Sequence, residues 1–370
     1  MLKQVSYEDK KIPCSIIRGG TSKGIFILKQ DLPENAQERN KIILSVFGSP
    51  DPRQIDGLGG ADPLTSKLAI ISLSPRDDVD IEYTFGQVAI EDNTIDYNAM
   101  CGNLAAGAAI YAVYHKYVSV SGKSAVVRML NTNTNKFIIS TVPLSNGLPA
   151  TDGSFHIDGV PGTGPEIRLE FMQPGGMITG KLFPTGKVSE DLTCGKHHFR
   201  ATIIDAGNVY AFVKAEDLGI DGGDVPQDLE KNIEFMSKLN KLKNRVTEML
   251  SRRFHKTIIP KISIISEADN QNADIQARIF SNGRIHKAYA ITGAINTGCL
   301  LCLNGTVADA FNIEIKKPLE NITIVHPSGI IETKINYTMD NDKFTLISAL
   351  ISRTARLLME GTVWGRQSCN

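Results

Sequence analysis

Short apolar runs closed off by Gly, Pro, Asn or Asp recur along most of the chain: SIIRGG, GIFIL, KLAIISL, VDIEYTFGQVAI, AVVRML, KFIISTVPL, EIRLEF, ATIIDAG, VYAFV, KISIIS, DIQARIF, ITIVHP and ARLLMEGTVW. Runs of about four to eight residues, rich in β-branched and aromatic side chains and bounded in this way, predict strands. Apolar positions at helical spacing are scarcer. They predict one amphipathic helix from about Glu34 to Phe47 and a longer one from about Asp228 to Arg253. In the longer one Ile233, Met236, Leu239, Leu242, Val246 and Leu250 share a face and lysines crowd the spaces between, the pattern of a surface helix.

Two further segments, Leu104 to Tyr114 (LAAGAAIYAVY) and Ala294 to Leu303 (AINTGCLLCL), are apolar or small on nearly every face. A helix without a polar face must be enclosed on all sides. Each segment is flanked by strands, so the expected architecture is α+β, two similar domains that each fold a curved sheet around one central helix. A doubly wound sheet is disfavoured, because strands outnumber the helices it needs as crossovers. Each central helix opens on a small, Gly-containing step, Cys101-Gly102-Asn103 in the first and Thr292-Gly293-Ala294 in the second. The likeness suggests a duplication, although no direct repeat is visible. A length of 370 residues fits two domains of roughly 100–200 residues each. The first is expected over 1–178 with a C-terminal strand at about 356–370, its helix starting at Cys101; the second over 179–355, its helix starting at Thr292.

Composition narrows the partners. Lys plus Arg and Asp plus Glu number 40 each, so there is no broad positive field for nucleic acid or an anionic membrane, and an anionic ligand must be caught locally. The N-terminal MLKQVSYEDKK lacks the apolar core of a signal peptide, and no apolar run approaches the ~18 residues of a membrane span. A cytoplasmic location is expected. The six cysteines, Cys14, Cys101, Cys194, Cys299, Cys302 and Cys369, form no disulfide framework and read as free thiols. The sequons at Asn304, Asn321 and Asn336 then read as chance matches.

A helix N-terminus offers unpaired N–H groups and partial positive charge, which suit a carboxylate, and Gly lets the ligand approach closely. The same end favours the thiolate of a cysteine placed there. Cys101 is therefore a candidate base; the plainer alternative is a small buried hydrophobe. The Gly-Asn step after it tips the balance, since neither residue favours helix propagation and both suit an anion-binding cap. Arg18-Gly19-Gly20-Thr21-Ser22-Lys23-Gly24 is no P-loop, because Lys23 precedes the last Gly and no Ser or Thr follows it. It reads either as a bare hairpin turn or as a turn whose Arg18, Thr21, Ser22 and Lys23 donate to a carboxylate. A second Thr-Ser-Lys, Thr65-Ser66-Lys67, follows Asp56-Gly57-Leu58-Gly59-Gly60, which does not match the dinucleotide fingerprint. Lys67 reads as an acid or base, or as a lysine at a strand end. No metal is expected: His197-His198 lacks a partner at HExxH spacing, and Cys299 and Cys302 sit in an apolar helix where thiols pack. No G-x-S-x-G elbow points to a serine hydrolase.

The segments IIRGGTSKGIF, FGSPD, IDGLGGADPLTSKLAI, CGN before an apolar helix, NTNT, IDGVPGTG, PTG, IIPK, HKAYAITGAI and HPSG, in order from about Ile12 to Gly329, resemble the PrpF family of isomerases. The resemblance implies the diaminopimelate epimerase-like fold, two pseudo-symmetric domains with curved mixed sheets and the active site in the cleft between them. It also implies a last strand, LLMEGTVW, that returns to the first. It implies a cofactor-independent allylic proton shift or cis-trans isomerisation of a small unsaturated di- or tricarboxylate of the aconitate, methylaconitate, itaconate or oxalomesaconate type. By this resemblance Cys101 and Lys67 fall on the family's base and acid positions, in an order the sequence leaves open. Arg18, Ser22, Asn103, Thr292 and Gly293 become carboxylate-binding candidates, and Gly20, Thr21, Ser66 and Gly102 complete the expected substrate set. Epimerases of this fold carry a second cysteine where Thr292 stands, which disfavours a two-thiol racemase. The rival readings are an amino-acid epimerase of the same fold and a catalytically silent polycarboxylate-binding protein. A monomer or a homodimer is expected.

Overall fold

A computed structural model describes residues 6–98, 100–269, 272–281, 283–313, 315, 317–341 and 343–369. The opening MLKQV of the stretch read for a signal peptide lies outside them. The chain divides into two compact units: Met1–His156 with Gly162–Leu169 and Arg353–Asn370, and Ile157–Pro161 with Glu170–Ser352. Apart from the short segment Ile157–Pro161, the changeovers fall at 169 and 352, where 178 and 355 were expected. Among the described residues no helix is long and apolar enough to cross a membrane.

Unit 1 is built from β1 (Ser6–Gly19), β2 (Ser22–Leu28), α1 (Ala36–Phe47), β3 (Lys67–Leu73), β4 (Ile81–Val88), β5 (Ile95–Asp96), α2 (Gly102–Tyr114), β6 (Ser124–Asn131) and β7 (Lys136–Ser145). β1 pairs antiparallel with β2, β2 parallel with β3, β3 antiparallel with β4, β4 antiparallel with short β5 and parallel with β6, and β6 antiparallel with β7. The C-terminal strand Ala355–Cys369 runs antiparallel along the whole of β1, the expected return of the last strand to the first. Gly102 to Val113 of α2 are all buried, and the helix touches β1, β2, β3, β4, β6 and β7. That enclosure is what an all-apolar helix requires. α1 starts two residues later than its pattern predicts, because Asn35 caps it by accepting from the N–H groups of Gln37 and Glu38.

Unit 2 repeats the scheme. Its β8 (His197–Asp205), β9 (Val209–Lys214), β10 (Lys261–Ser266), β11 (Ile275–Ser281), β12 (Arg284–Ile285), β13 (Asn321–His326) and β14 (Gly329–Asp340) carry α3 (Ile233–Phe254) on the outside and α4 (Ile291–Leu301) at the centre. The pairings run antiparallel, parallel, antiparallel, antiparallel to a short strand, then parallel and antiparallel after the central helix, as in unit 1. Even the lysines correspond: Lys67 opens β3 and Lys261 opens β10. This is the α+β diaminopimelate epimerase-like arrangement, with the same order of pairings in both units. Two expectations need correction. α4 begins at Ile291, so Thr292 lies inside its first turn instead of opening it. The long surface helix is broken at Asn232, where a short helix Pro226–Lys231 ends and the Asn232 side chain caps α3 by accepting from Phe235 N. A polar residue able to cap wins over unbroken periodicity.

In unit 2 the Asp205 carboxyl is wholly buried, and its Oδ2 accepts from Thr179 N at 2.7 Å, Thr179 Oγ1 at 2.8 Å and Ile178 N at 2.9 Å. Its Oδ1 has no hydrogen-bond partner among the described residues. Burial outweighs those bonds and raises the pKa above the ordinary carboxylate value. The native state thus holds this proton more tightly than the unfolded chain does, so stability from the site is present below the unfolded pKa and lost as pH rises through the folded one. Asp205→Asn removes the linkage. The variant's Tm relative to wild type is expected to improve as pH rises above the ordinary carboxylate range; parallel Tm profiles would contradict a proton held here.

Candidate active site

The two-residue turn Gly20-Thr21 joins β1 to β2, with Gly19 opposite Ser22. Gly20, with φ +50°, takes the first central position, which the tight hairpin turns reserve for glycine. The expected Gly-rich turn is therefore a hairpin, seated on the first turn of α2. A Cβ on Gly19 would lie 2.2 Å from Asn103 O, and one on Gly20 would lie 2.2 Å from Asn103 Oδ1. Arg18, half-buried, folds back over the turn, where Nη1 donates to Gly20 O at 2.9 Å and Thr354 O at 3.1 Å. Burial and the neighbouring Arg356 lower its pKa. Lys23 joins the frame through its main chain, donating to Leu64 O.

Cys101 is the N-cap of α2, half-buried and in extended conformation, with no side-chain capping bond. The chemistry-bearing step thus precedes the helix by one residue. Its carbonyl is held by Ala105 N at 3.2 Å and by the buried Tyr83 hydroxyl at 3.1 Å. Burial raises the Tyr83 pKa well above its ordinary value, so that hydroxyl is a donor throughout the physiological range.

Lys67, only 8 % exposed, opens β3 between Gly24 of β2 and Gln87 of β4. Its Nζ donates to Gln87 Oε1 at 2.7 Å and lies 5.1 Å from the centroid of the Phe85 ring. Gln87 Nε2 in turn donates to Ser66 O and Pro63 O, tying the preceding loop to the lysine. Gly24 shows how close this edge runs to α2: a Cβ there would lie 2.7 Å from Leu104 Cδ2 and 2.9 Å from Lys67 O. Alternation along β4 puts Tyr83, Phe85 and Gln87 on one face. That single face holds the Cys101 carbonyl at one end and the Lys67 amine at the other.

The other candidates divide. Gly102 and Asn103 form the first turn of α2, and the Asn103 amide bonds Thr21 and Ser22. Ser66 is completely buried and its hydroxyl donates to Gln54 Oε1 at 2.6 Å, which commits it to the loop frame and not to a ligand. Thr292 and Gly293 belong to unit 2, where the Thr292 hydroxyl meets Tyr210 and Asn208 and Gly293 packs on Ile279 and Tyr289. Three residues were missed by the sequence reading. Tyr83 and Gln87 carried a usable signal, polar groups at period two on an otherwise apolar strand face. Arg353, whose Nε donates to Asn103 Oδ1 at 3.1 Å, carried none, since 250 positions separate the pair.

Among the described residues no three His, Cys, Asp or Glu side chains gather as a metal ion would need. Cys299 and Cys302 are packed thiols; burial pushes the first well above its ordinary pKa and the second up to about 12.

A model of the family described as PrpF protein matches residues 9–366. The chain is 34 % identical to the 3-methylitaconate isomerase of Eubacterium barkeri, covering 96 % of this chain and 98 % of that one. It is 34 % identical to the 4-oxalomesaconate tautomerase of Pseudomonas putida, over 95 % and 96 % of the two chains. The crystal structure of a methylitaconate-delta-isomerase superposes with a TM-score of 0.79 at 34 % identity, covering 96 % of each chain.

Proposed function

Because the chain belongs to the PrpF family, we propose that it is an isomerase that moves a proton along the three-carbon allylic unit of a small unsaturated di- or tricarboxylate. An internal proton shift leaves the redox level unchanged and needs no cofactor. What supports the reading is the one face of β4 that holds the Cys101 main chain through Tyr83 and the Lys67 amine through Gln87. An acid and a base at fixed separation are what a proton transfer between two carbons requires.

In this mechanism the Cys101 thiolate takes the allylic proton, and the freed electron pair spreads through the double bond onto the conjugated carboxylate. The α2 N–H groups and the Thr21 and Ser22 hydroxyls meet the resulting charge. Lys67 delivers a proton to the far carbon. An amide oxygen and a ring face are partners for an ammonium, which favours Lys67 as the acid and Cys101 as the base. The thiol and the amine then exchange protons with solvent to restore the starting state.

The deciding experiment is incubation in deuterated water with a panel of unsaturated polycarboxylates and, separately, of amino acids, followed by proton NMR. Label is expected at both ends of the allylic unit. Exchange only at the α-hydrogen of an amino acid would make the protein an epimerase, and no exchange on any polycarboxylate would leave a binding protein.

A further inference from the structure

The β1–β2 turn carries two hydroxyls whose hydrogen-bonding direction is dictated from behind. Arg353 is buried, 6 % exposed, and its Nε donates to Asn103 Oδ1 at 3.1 Å. A guanidinium has donors only, so the amide oxygen of Asn103 must face it and the amide nitrogen must face away. That nitrogen donates to Thr21 Oγ1 at 3.0 Å and to Ser22 Oγ at 3.4 Å. Each hydroxyl oxygen is thus an acceptor toward Asn103, which leaves its own proton to point elsewhere. Ser22 is 2 % exposed, and neither hydroxyl has a second hydrogen-bond partner among the described residues.

The geometry allows little slack. Gly20 is seated on this pair, since a Cβ there would lie 2.2 Å from Asn103 Oδ1 and 3.1 Å from Arg353 Cδ. The turn is braced on its other side, where Gly20 N donates to Thr354 O at 2.8 Å, next in sequence to Arg353. Burial lowers the Arg353 pKa to about 10, so the group remains a cation and a donor at neutral pH.

We propose that Arg353 is a positioning residue that sets the polarity of this turn: acting through Asn103, it commits the Thr21 and Ser22 hydroxyls to donate, so that the turn accepts a carboxylate of the substrate and rejects a ligand that itself donates. The proposal rests on the polycarboxylate reading above. It differs from a simple role for positive charge, because what matters is the donor at the Nε position.

Two variants separate these roles. In Arg353→Gln the amide nitrogen occupies the place of Nε and keeps a donor without the charge, whereas Arg353→Met puts a methyl group there. The probe is propane-1,2,3-tricarboxylate, a saturated triacid that cannot be isomerised, with binding measured by calorimetry and folding checked by Tm. Arg353→Gln is expected to bind within about threefold of wild type and Arg353→Met at least about tenfold more weakly, the scale of a lost hydrogen bond to a charged ligand. Equal losses in the two would assign the effect to charge and overturn the relay. If the Met variant does not fold, the Gln variant decides alone: retention supports the relay, and a tenfold loss in folded protein overturns it. A wild-type protein that fails to bind the triacid would overturn the polycarboxylate reading along with the relay, whereas tight wild-type binding with equal losses overturns the relay only.

Discussion

Cys101→Ser and Lys67→Met are each expected to slow turnover of the unsaturated polycarboxylate by roughly 10²–10⁴-fold, the usual worth of a positioned acid or base. Serine keeps the volume and the helix cap but is a far weaker base than a thiolate. Methionine keeps the aliphatic contact with Phe85 and discards the proton. Serine should leave Tm nearly unchanged, whereas methionine at 67 takes the donor from Gln87 Oε1 and should cost roughly 1–3 kcal/mol while the protein still folds. Because the two groups act in one proton transfer, the double variant should be little slower than the worse single one. Steady-state rates by proton NMR give the answer, and near-normal turnover in either folded single variant would sink the acid–base assignment.

Gly19→Ala should do its damage differently, through packing. Its added methyl would meet the α2 backbone, 2.2 Å from Asn103 O and 3.1 Å from Gly107 N. Backbone cannot rotate away as a side chain can, and α2 is enclosed by sheet, so β1 or the helix must shift. Overpacking of this kind costs roughly 3 kcal/mol, and for a unit of this size that is a fall in Tm of roughly 6–12 °C. A shift at Gly19 also moves Gly20 and the turn hydroxyls, so activity should fall in the protein that remains folded. Calorimetry and rate measurements on the same sample test both halves; unchanged Tm would mean that strand and helix do not press together here.

Much of this could be read along the chain, because its causes are local. A run such as KLAIISL has the period of a strand wherever it sits, and β3 is Lys67–Leu73. LAAGAAIYAVY has no polar face, so it could only be a helix enclosed by sheet, and α2 is that helix. Gly20 between two strands meant a turn. Where a capping residue competed with periodicity, the boundary moved by two residues at Asn35, and at Asn232 the pattern split into two helices, the longer one starting five residues late.

The partners of the site side chains could not be read in the same way. Thr65-Ser66-Lys67 offered a hydroxyl and an amine side by side, yet the Ser66 hydroxyl is spent on Gln54 while Lys67 turns to Gln87 and Phe85. Successive residues of a strand face opposite ways, and period alone tells which face a residue takes, not what lies against it. Asn103 is met by Arg353 only because the C-terminal strand returns along β1 and delivers Thr354 and Arg353 to the hairpin turn. The elements, the enclosed helices and the chemical character of Cys101 and Lys67 came from the sequence itself, since each depends on a few neighbouring residues. Which donor faces which acceptor was decided by strands distant in the chain packing together, where a hydrogen bond forms according to position in space and not to separation in sequence.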